Sequence, residues 1–361
     1  MRLLFVNSAW RESWGGGEKW TVQAAAWMQA HGHETVVVGR PDSRLAASAR
    51  ARGLRTCETR FGGDYDPCAF ARARRILAAE KPSIVVVNFN KEAWQFGLAA
   101  QALHIPVVAR HGFPLLRRAL HHKLLMRGVL TRLIVNAESI RERYRMLGFP
   151  ADGIAVIHNG VPLSPQKAGE LRERFGVSGN DSLIVGAGRL ESQKRFDRLI
   201  EIAARLREGR PNLRVLIAGE GPLRADLQAE IDRRSLHDVV QLVGFIADLP
   251  QIIGDADVFL LTSDDEGTPN VLLEAMAARV ACVAFAVGAV PEIFTGPLAA
   301  GIIEPGNTEA MARWTAMLLD DSDLREAVAR EMEMHALLEF SLDASMRRFE
   351  TLFGQLADAA S

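Results

Sequence analysis

Val258-Phe259-Leu260-Leu261-Thr262-Ser263-Asp264-Asp265-Glu266-Gly267-Thr268-Pro269-Asn270-Val271-Leu272-Leu273-Glu274 is the stretch on which the fold turns. Its first four residues are a short apolar run of the kind buried on both faces of a sheet. A polar loop follows. Thr268 is a residue type that caps helices, and Pro269 suits a first helical position because its missing N–H would have no partner there. A strand that passes straight into a helix is the repeating unit of a parallel sheet with helices on both faces.

The same grammar runs outward in both directions. Toward the N-terminus, strands are expected at Leu3–Asn7, Thr35–Val38, Ile84–Asn88, Pro106–Ala109, Leu133–Asn136 and Ile154–Ile157. Around the opening stretch they are expected at Leu183–Ala187, Arg214–Ala218, Val239–Val243, Val258–Leu261, Val280–Phe285 and Gly301–Ile303. Helical patterns fill the gaps, among them Lys19–Ala30, Pro67–Glu80, Phe196–Glu208, Leu223–Arg234 and Glu309–Asp320. So many strands exceed one small sheet, and an α/β barrel needs a single continuous run of eight units. Two Rossmann-like α/β domains are the expectation, residues 1–163 and 164–340, joined near Pro162–Lys167. The segment 341–361 is expected to form an amphipathic helix, with Met346, Phe349, Leu352, Phe353 and Leu356 on one face, that crosses back to the first domain.

Charge changes sign at the same place. Residues 1–163 hold 23 Lys and Arg against 12 Asp and Glu, and the remainder holds 20 against 32. Opposed halves suit two domains with different partners, or two solvated surfaces that attract each other. The chain has 361 residues, 48% hydrophobic and 24% charged, which excludes a disordered or fibrous protein. Cys57, Cys68 and Cys282 are too few for a disulfide framework and form no C-x-x-C pair, so a reduced, cytoplasmic protein is expected. No apolar run reaches membrane-spanning length, and the strand-like Leu3-Leu4-Phe5-Val6 at the start argues against a secretory signal.

Three loops carry chemistry. Gly15-Gly16-Gly17 stands between the first strand and its helix, where bare backbone amides and the positive helix end suit a phosphate; a plain strand-to-helix turn uses the same residues. Gly188-Arg189-Leu190-Glu191-Ser192-Gln193-Lys194 follows the first strand of the second domain. Arg189 offers a fork for phosphate oxygens and Lys194 a mobile point charge, at the strand end where open α/β sheets bind ligands. The opening stretch is the third. Glu266 precedes the helix and Glu274 lies one to two turns into it. A loop carboxylate is suited to grip sugar hydroxyls, and a helix carboxylate the paired hydroxyls of a ribose. The amides of Asn270 and Val271, next to Gly267 and Thr268, sit at the positive helix end.

Taken in order, these pieces resemble the retaining family 4 glycosyltransferases of the two-domain GT-B fold. The resemblance runs from Leu3–Lys19 through Ile157-His158-Asn159-Gly160-Val161, Gly188–Lys194, Ala218-Gly219-Glu220-Gly221-Pro222, Val243-Gly244-Phe245 and Glu266–Glu274 to Pro291-Glu292. It implies two Rossmann-like domains facing across a cleft, the first binding acceptor and the second a nucleotide-diphosphate-sugar donor. Residue by residue, it implies that Glu266 contacts the donor sugar and Glu274 the ribose. Arg189 and Lys194 would hold the diphosphate, Gly16 and Gly17 would lie near the phosphates, and His111 beside the transferred sugar. Gly244 and Phe245 would meet the nucleobase. The chain departs from the family pattern at Gly288-Ala289-Val290-Pro291-Glu292, where a second glycine is usual, and at Pro162, where an aspartate is usual.

The implied reaction moves a sugar to an acceptor hydroxyl with retained anomeric configuration, in cell-envelope polysaccharide or lipopolysaccharide synthesis, with no cofactor beyond the donor substrate. Asp264-Asp265 are adjacent rather than spaced as Asp-x-Asp, so no metal site is expected and turnover is expected to be metal-independent. The acid-free stretch Arg110–Arg132 holds Arg117, Arg118, His121, His122, Lys123 and Arg127, with Leu116, Leu120, Leu124 and Met126 between them. It reads either as an interfacial helix touching anionic lipid at the inner membrane face, beside a saccharide or lipid-linked acceptor, or as an ordinary helix with a basic outer face. A sugar-nucleotide epimerase of the same architecture and a non-catalytic nucleotide-sugar-binding subunit are the alternatives. Nucleic acid is not an expected partner, because aromatic residues are not interleaved with the basic residues of Arg117–Arg127.

Overall fold

A computed structural model describes residues 1–63, 65–88, 90–112, 120 and 128–359. The chain divides into two compact units, Met1–His158 with Ser345–Ser361, and Asn159–Ala344.

The first unit is built on a seven-stranded sheet in the order β3-β2-β1-β4-β5-β6-β7. Its strands are β1 (Arg2–Val6), β2 (Glu34–Gly39), β3 (Arg55–Glu58), β4 (Ile84–Val87), β5 (Val107–His111), β6 (Arg132–Val135) and β7 (Ile154–Val156). All pairings are parallel; Leu3, Leu4, Phe5 and Val6, for example, lie beside Ile84, Val85, Val86 and Val87. These eight side chains are inaccessible to solvent, the result expected for strands with helices on both faces. Helices α1 (Gly16–Ala30), α2 (Arg44–Ala51), α3 (Pro67–Glu80) and α4 (Glu138–Met146) connect them.

The second unit has a six-stranded sheet in the order β10-β9-β8-β11-β12-β13, again parallel. Its strands are β8 (Ser182–Ala187), β9 (Leu213–Ala218), β10 (Val240–Gly244), β11 (Val258–Leu261), β12 (Ala281–Phe285) and β13 (Ile302–Ile303). Its helices include α5 (Glu170–Phe175), α6 (Phe196–Arg207), α7 (Arg224–Arg233), α8 (Asn270–Ala277), α9 (Thr308–Asp320) and α10 (Ser322–Glu339).

In both sheets the first strand of the unit lies inside, flanked by the second on one side and a later strand on the other. Connections therefore leave in opposite directions at β1/β4 and at β8/β11, which opens a crevice at the carboxyl ends of those strands. The long helix α11 (Leu342–Asp358) returns to the first unit. Met346, Phe349, Phe353 and Leu356 are buried there; Phe349 packs on Trp20 with ring centroids 5.1 Å apart, and His33 Nε2 meets Glu350 Oε1 at 2.7 Å. Leu352, expected on the same face, is only half-buried.

Two expectations need correction. Strand β3, Arg-Thr-Cys-Glu, is absent from the sequence reading because it has no apolar run; it pairs with β2 alone at the sheet edge, where charged residues are normal. The first unit ends at His158 rather than at residue 163, and the return begins at Ser345 rather than at 341. The reason is a pair of hydrogen bonds that bind the linker to the end of the second unit, Val161 N to Phe340 O (2.9 Å) and Leu342 N to Val161 O (2.8 Å). Most of the basic stretch after Arg110, namely Leu116, Arg117, Arg118, His121, His122, Lys123, Leu124, Met126 and Arg127, lies outside the described residues. Among the described residues no helix is long and apolar enough to cross a membrane.

Candidate functional site

The crevice between β8 and β11 gathers the charged residues of two loops. After β8, the chain makes a short 3-10 turn, Ser192–Lys194, and Arg195 takes a left-handed φ of 51° before α6 begins. That turn brings Lys194 back over the end of β11. Its Nζ lies 2.6 Å from Glu266 Oε1, and the Ser263 hydroxyl donates to the same oxygen at 2.6 Å. Glu266 is only 7% exposed. Burying a polar group costs free energy unless its hydrogen bonds are made, and here a lysine and a hydroxyl supply them.

The two loops are laced by their backbones as well. Asp264 N donates to Gln193 O at 2.9 Å, Gln193 Nε2 to Asp265 O at 2.5 Å, and Thr262 Oγ1 to Lys194 O at 3.1 Å. Asp264 then receives Arg195 Nη1 at 2.9 Å and Arg198 Nη1 at 2.5 Å. Burial would raise the Asp264 carboxyl, but the hydrogen bonds from the two arginines outweigh it, and its pKa ends below the ordinary carboxylate value.

Two glycines allow this closeness. Gly288 has φ +54°, and a Cβ there would fall 1.7 Å from the Glu266 carbonyl oxygen. The next residue, Ala289, donates its N–H to Gly267 O at 3.3 Å. The loop after β12 therefore lies directly behind Glu266. Likewise a Cβ on Gly219 would meet Gly188 O at 1.8 Å, which lets the loop after β9 touch the loop after β8.

The remaining expected residues of the second unit are arranged around this core. Arg189 is not drawn to Lys194: its guanidinium is mostly in solvent and pairs with Glu191 at 2.7 Å. Gly267 and Thr268 are buried, Val271 and Glu274 half-buried, and Asn270 exposed with its Oδ1 3.0 Å from Asn159 Nδ2. Thr268 does not cap α8, contrary to expectation. Pro269 occupies the cap position, where its side chain has no hydrogen bond to offer, and its carbonyl accepts from Leu272 N and Leu273 N. Gly244 ends β10, and Phe245 beside it is 70% exposed.

The expected residues of the first unit lie at the carboxyl end of its own sheet. Gly16 opens α1, followed by Gly17. The buried carboxylate of Glu18 takes the Gly15 amide at 2.7 Å and the Ser13 hydroxyl at 3.0 Å, so an acidic side chain stands at this helix start. His111 ends β5, is 4% exposed, and its Nδ1 lies 2.7 Å from the Tyr144 hydroxyl. Its neighbour Arg110 is wholly buried with its guanidinium 4.5 Å above the Trp20 ring; burial lowers its pKa to about 10, so it stays charged at neutral pH.

Asp-x-Asp spacings do occur in the chain, at Asp64–Asp66, Asp255–Asp257 and Asp321–Asp323. The described ones serve the fold. Asp66 and Asp321 cap α3 and α10. Asp255 receives the amides of Gly169 and Leu171, and Asp257 pairs with Arg172 at 2.9 Å.

Sequence reading missed Ser263 and Gly288 as parts of the site. Ser263 carries no pattern of its own. Gly288 was noted as part of a family signature, but its closeness to Glu266 is visible only once β11 and β12 lie side by side.

Comparison with known proteins agrees with this architecture. The family model for Glycosyltransferase Family 4 matches residues 14–165, and that for Glycosyl transferases group 1 matches residues 168–333. An alpha-D-kanosaminyltransferase of Streptomyces kanamyceticus is 33% identical over 178 residues, 49% of this chain and 46% of its own length. A putative colanic acid biosynthesis glycosyltransferase of Escherichia coli is 29% identical over 201 residues, 53% of this chain and 48% of its own. The chain thus spans about half the length of the curated relatives it matches. Among solved structures, Anabaena HepE in complex with UDP superposes with a TM-score of 0.87 at 19% identity, covering 98% of this chain and 100% of that one. A glycosyltransferase from Rickettsia africae gives 0.86 at 18% identity, covering 98% of each. At such identities the likeness is one of fold.

Proposed function

Since the chain belongs to the family 4, group 1 glycosyltransferases of GT-B fold, we propose that it transfers a sugar from a nucleotide-diphosphate donor to an acceptor hydroxyl, with retention of anomeric configuration. The observation that carries this reading is the Lys194–Glu266–Ser263 contact at the β8/β11 crevice, eight residues before Glu274 on the following helix. Ligands of open α/β sheets sit at such strand ends.

The chemistry follows from the charges. Glu266 binds hydroxyls of the donor sugar and Glu274 those of the ribose. Arg189 and Lys194 hold the diphosphate, and the amides at the start of α8 add their dipole. As the anomeric carbon–phosphate oxygen bond breaks, positive charge grows on the sugar ring and negative charge on the departing nucleoside diphosphate. Fixed cations at the leaving group lower that barrier. The acceptor oxygen bonds to the anomeric carbon on the face the phosphate leaves, and its proton passes to the departing phosphate oxygen. Positive charge at the diphosphate comes from Arg189 and Lys194, so turnover needs no metal ion. His111, at the end of β5 and bonded to Tyr144, stands beside the transferred sugar. The colanic acid relative supports a place in envelope polysaccharide synthesis.

The test is incubation with UDP-, GDP- and ADP-sugars and alkyl glycosides as acceptor probes, with and without chelator. The expected result is release of one nucleoside diphosphate, a product whose anomeric proton signal matches the donor configuration, and no effect of chelator. An inverted product would remove retention, a chelator-sensitive rate would remove metal independence, and no turnover of any donor would remove the transferase reading.

A further inference from the structure

His111 ends β5, and its backbone is held in the sheet by pairing with Val135 on β6. Its ring is held from a different element. Tyr144 lies on α4, which packs against β6 and β7, and is 1% exposed. A tyrosine buried this deeply needs a partner for its hydroxyl. The hydroxyl reaches His111 Nδ1 at 2.7 Å.

The way α4 ends fixes that phenol. Gly148 takes a left-handed φ of +80°, its N–H donates to Arg145 O at 2.8 Å, and Phe149 N donates to Tyr144 O at 3.2 Å. This pair of bonds is the Schellman motif, which turns the residue after the glycine back onto the third residue from the helix end. Here those two residues are Phe149 and Tyr144, and their rings pack with centroids 5.1 Å apart. Phe149 is itself buried, as is Ile140, one turn before Tyr144 on the same helix face. The segment Tyr144-Arg145-Met146-Leu147-Gly148-Phe149 thus builds a rigid arm whose tip is one hydroxyl, set against one nitrogen of His111.

A neutral imidazole has one N–H and one bare nitrogen, and the bond made at one nitrogen decides which is which. A phenol is a good donor, but its oxygen is a poor acceptor because a lone pair is delocalised into the ring. A bare imidazole nitrogen is a good acceptor. The favoured pairing is therefore Tyr144 O–H donating to a bare His111 Nδ1, which leaves the proton on Nε2. We propose that Tyr144 is a positioning residue that holds His111 as the Nε2–H tautomer, so that the ring presents a donor to a hydroxyl oxygen of the transferred sugar. With a bare Nε2, the same sugar hydroxyl must turn its own proton toward the ring and give up any bond it makes elsewhere with that proton. The proposal rests on the transferase reading above and deepens it by assigning a residue that acts through His111.

The experiment uses the full chain labelled with nitrogen-15 histidine, and compares wild type, Y144F, H111Q and the Y144F/H111Q double variant by NMR. Y144F keeps a ring against Phe149 and removes only the hydroxyl. His111 is identified among the nine histidines as the signal missing in H111Q. At about pH 8, above the ordinary histidine range, wild type is expected to carry the His111 proton on Nε2, and Y144F to show a mixture of both tautomers. Sugar transfer is measured on the same preparations. Y144F is expected to lower kcat about five- to tenfold, the worth of one hydrogen bond, with the donor KM little changed. It is expected to cost nothing further in the H111Q background, because its effect runs through His111. A His111 proton on Nδ1 in wild type, an unchanged tautomer or an unchanged kcat in Y144F, or the same fractional loss in both backgrounds would overturn the proposal. The wild-type spectrum decides the tautomer whether or not the variants fold. Transfer by a wild type protonated on Nδ1 removes the proposal and leaves the transferase; no transfer by a wild type protonated on Nε2 removes the transferase reading and leaves the Tyr144–His111 arrangement.

Discussion

Gly288 touches no substrate in this account, yet it decides where Glu266 stands. Two penalties act on any larger residue there: a left-handed φ of +54° and a Cβ 1.7 Å from the Glu266 carbonyl oxygen. They separate cleanly, because Gly296 has nearly the same φ, +58°, and open space around it. Gly296→Ala is therefore expected to cost only the conformational strain, about 1–2 kcal/mol. Gly288→Ala is expected to cost more in urea unfolding and also to weaken nucleotide-sugar binding, since the backbone of Glu266 must shift. Equal stability losses in the two variants, with donor binding intact in both, would show that the loop after β12 does not position Glu266.

At the scale of elements, the β11-to-α8 loop is fastened to the β8-to-α6 loop through Asp264. Its folded pKa is depressed, so the stabilisation is present above the unfolded value of ~3.9 and is lost as pH falls through the folded value. Asp264→Asn is thus expected to lower the melting temperature at pH 7, with the gap from wild type closing below about pH 4. A gap independent of pH would place the effect in packing rather than in charge. This loop also shows what was legible in the sequence. Val258–Leu261 and the helix after it were readable because apolar periodicity survives burial on both faces. Lys194 and Glu266 were readable as charged residues in loops at strand ends, and the structure does bring them together. The cap was misread: Thr268 has the right chemistry but is buried one position too early, and Pro269 takes the cap. β3 was missed because an edge strand needs no apolar run. The Arg189–Glu191 pair is a local rotamer choice on the surface, for which sequence holds no signal.

At the scale of the molecule, the chain leaves the first unit after His158, builds the second, and returns at Ser345. The return was readable from the spacing of Met346, Phe349, Phe353 and Leu356; what it packs against was not, since Trp20 lies more than 300 residues away in sequence. Phe349→Ala is expected to cost about 3–5 kcal/mol, because a fully buried ring is lost from a packed core. The loss should appear in hydrogen exchange of β1 and α1 and leave β8 and β11 protected; uniform loss in both units would contradict it. The central claim, that the β8/β11 crevice holds the diphosphate of a nucleotide sugar, is tested most directly by thermal unfolding against UDP-, GDP- and ADP-sugars. Wild type is compared with Lys194→Ala and Arg189→Ala. One donor class is expected to stabilise wild type, by about 2.7 kcal/mol at 100 times its dissociation constant, and both variants far less. Stabilisation of the variants equal to that of wild type would place the diphosphate elsewhere, and no stabilisation of wild type by any of the three would contradict the claim.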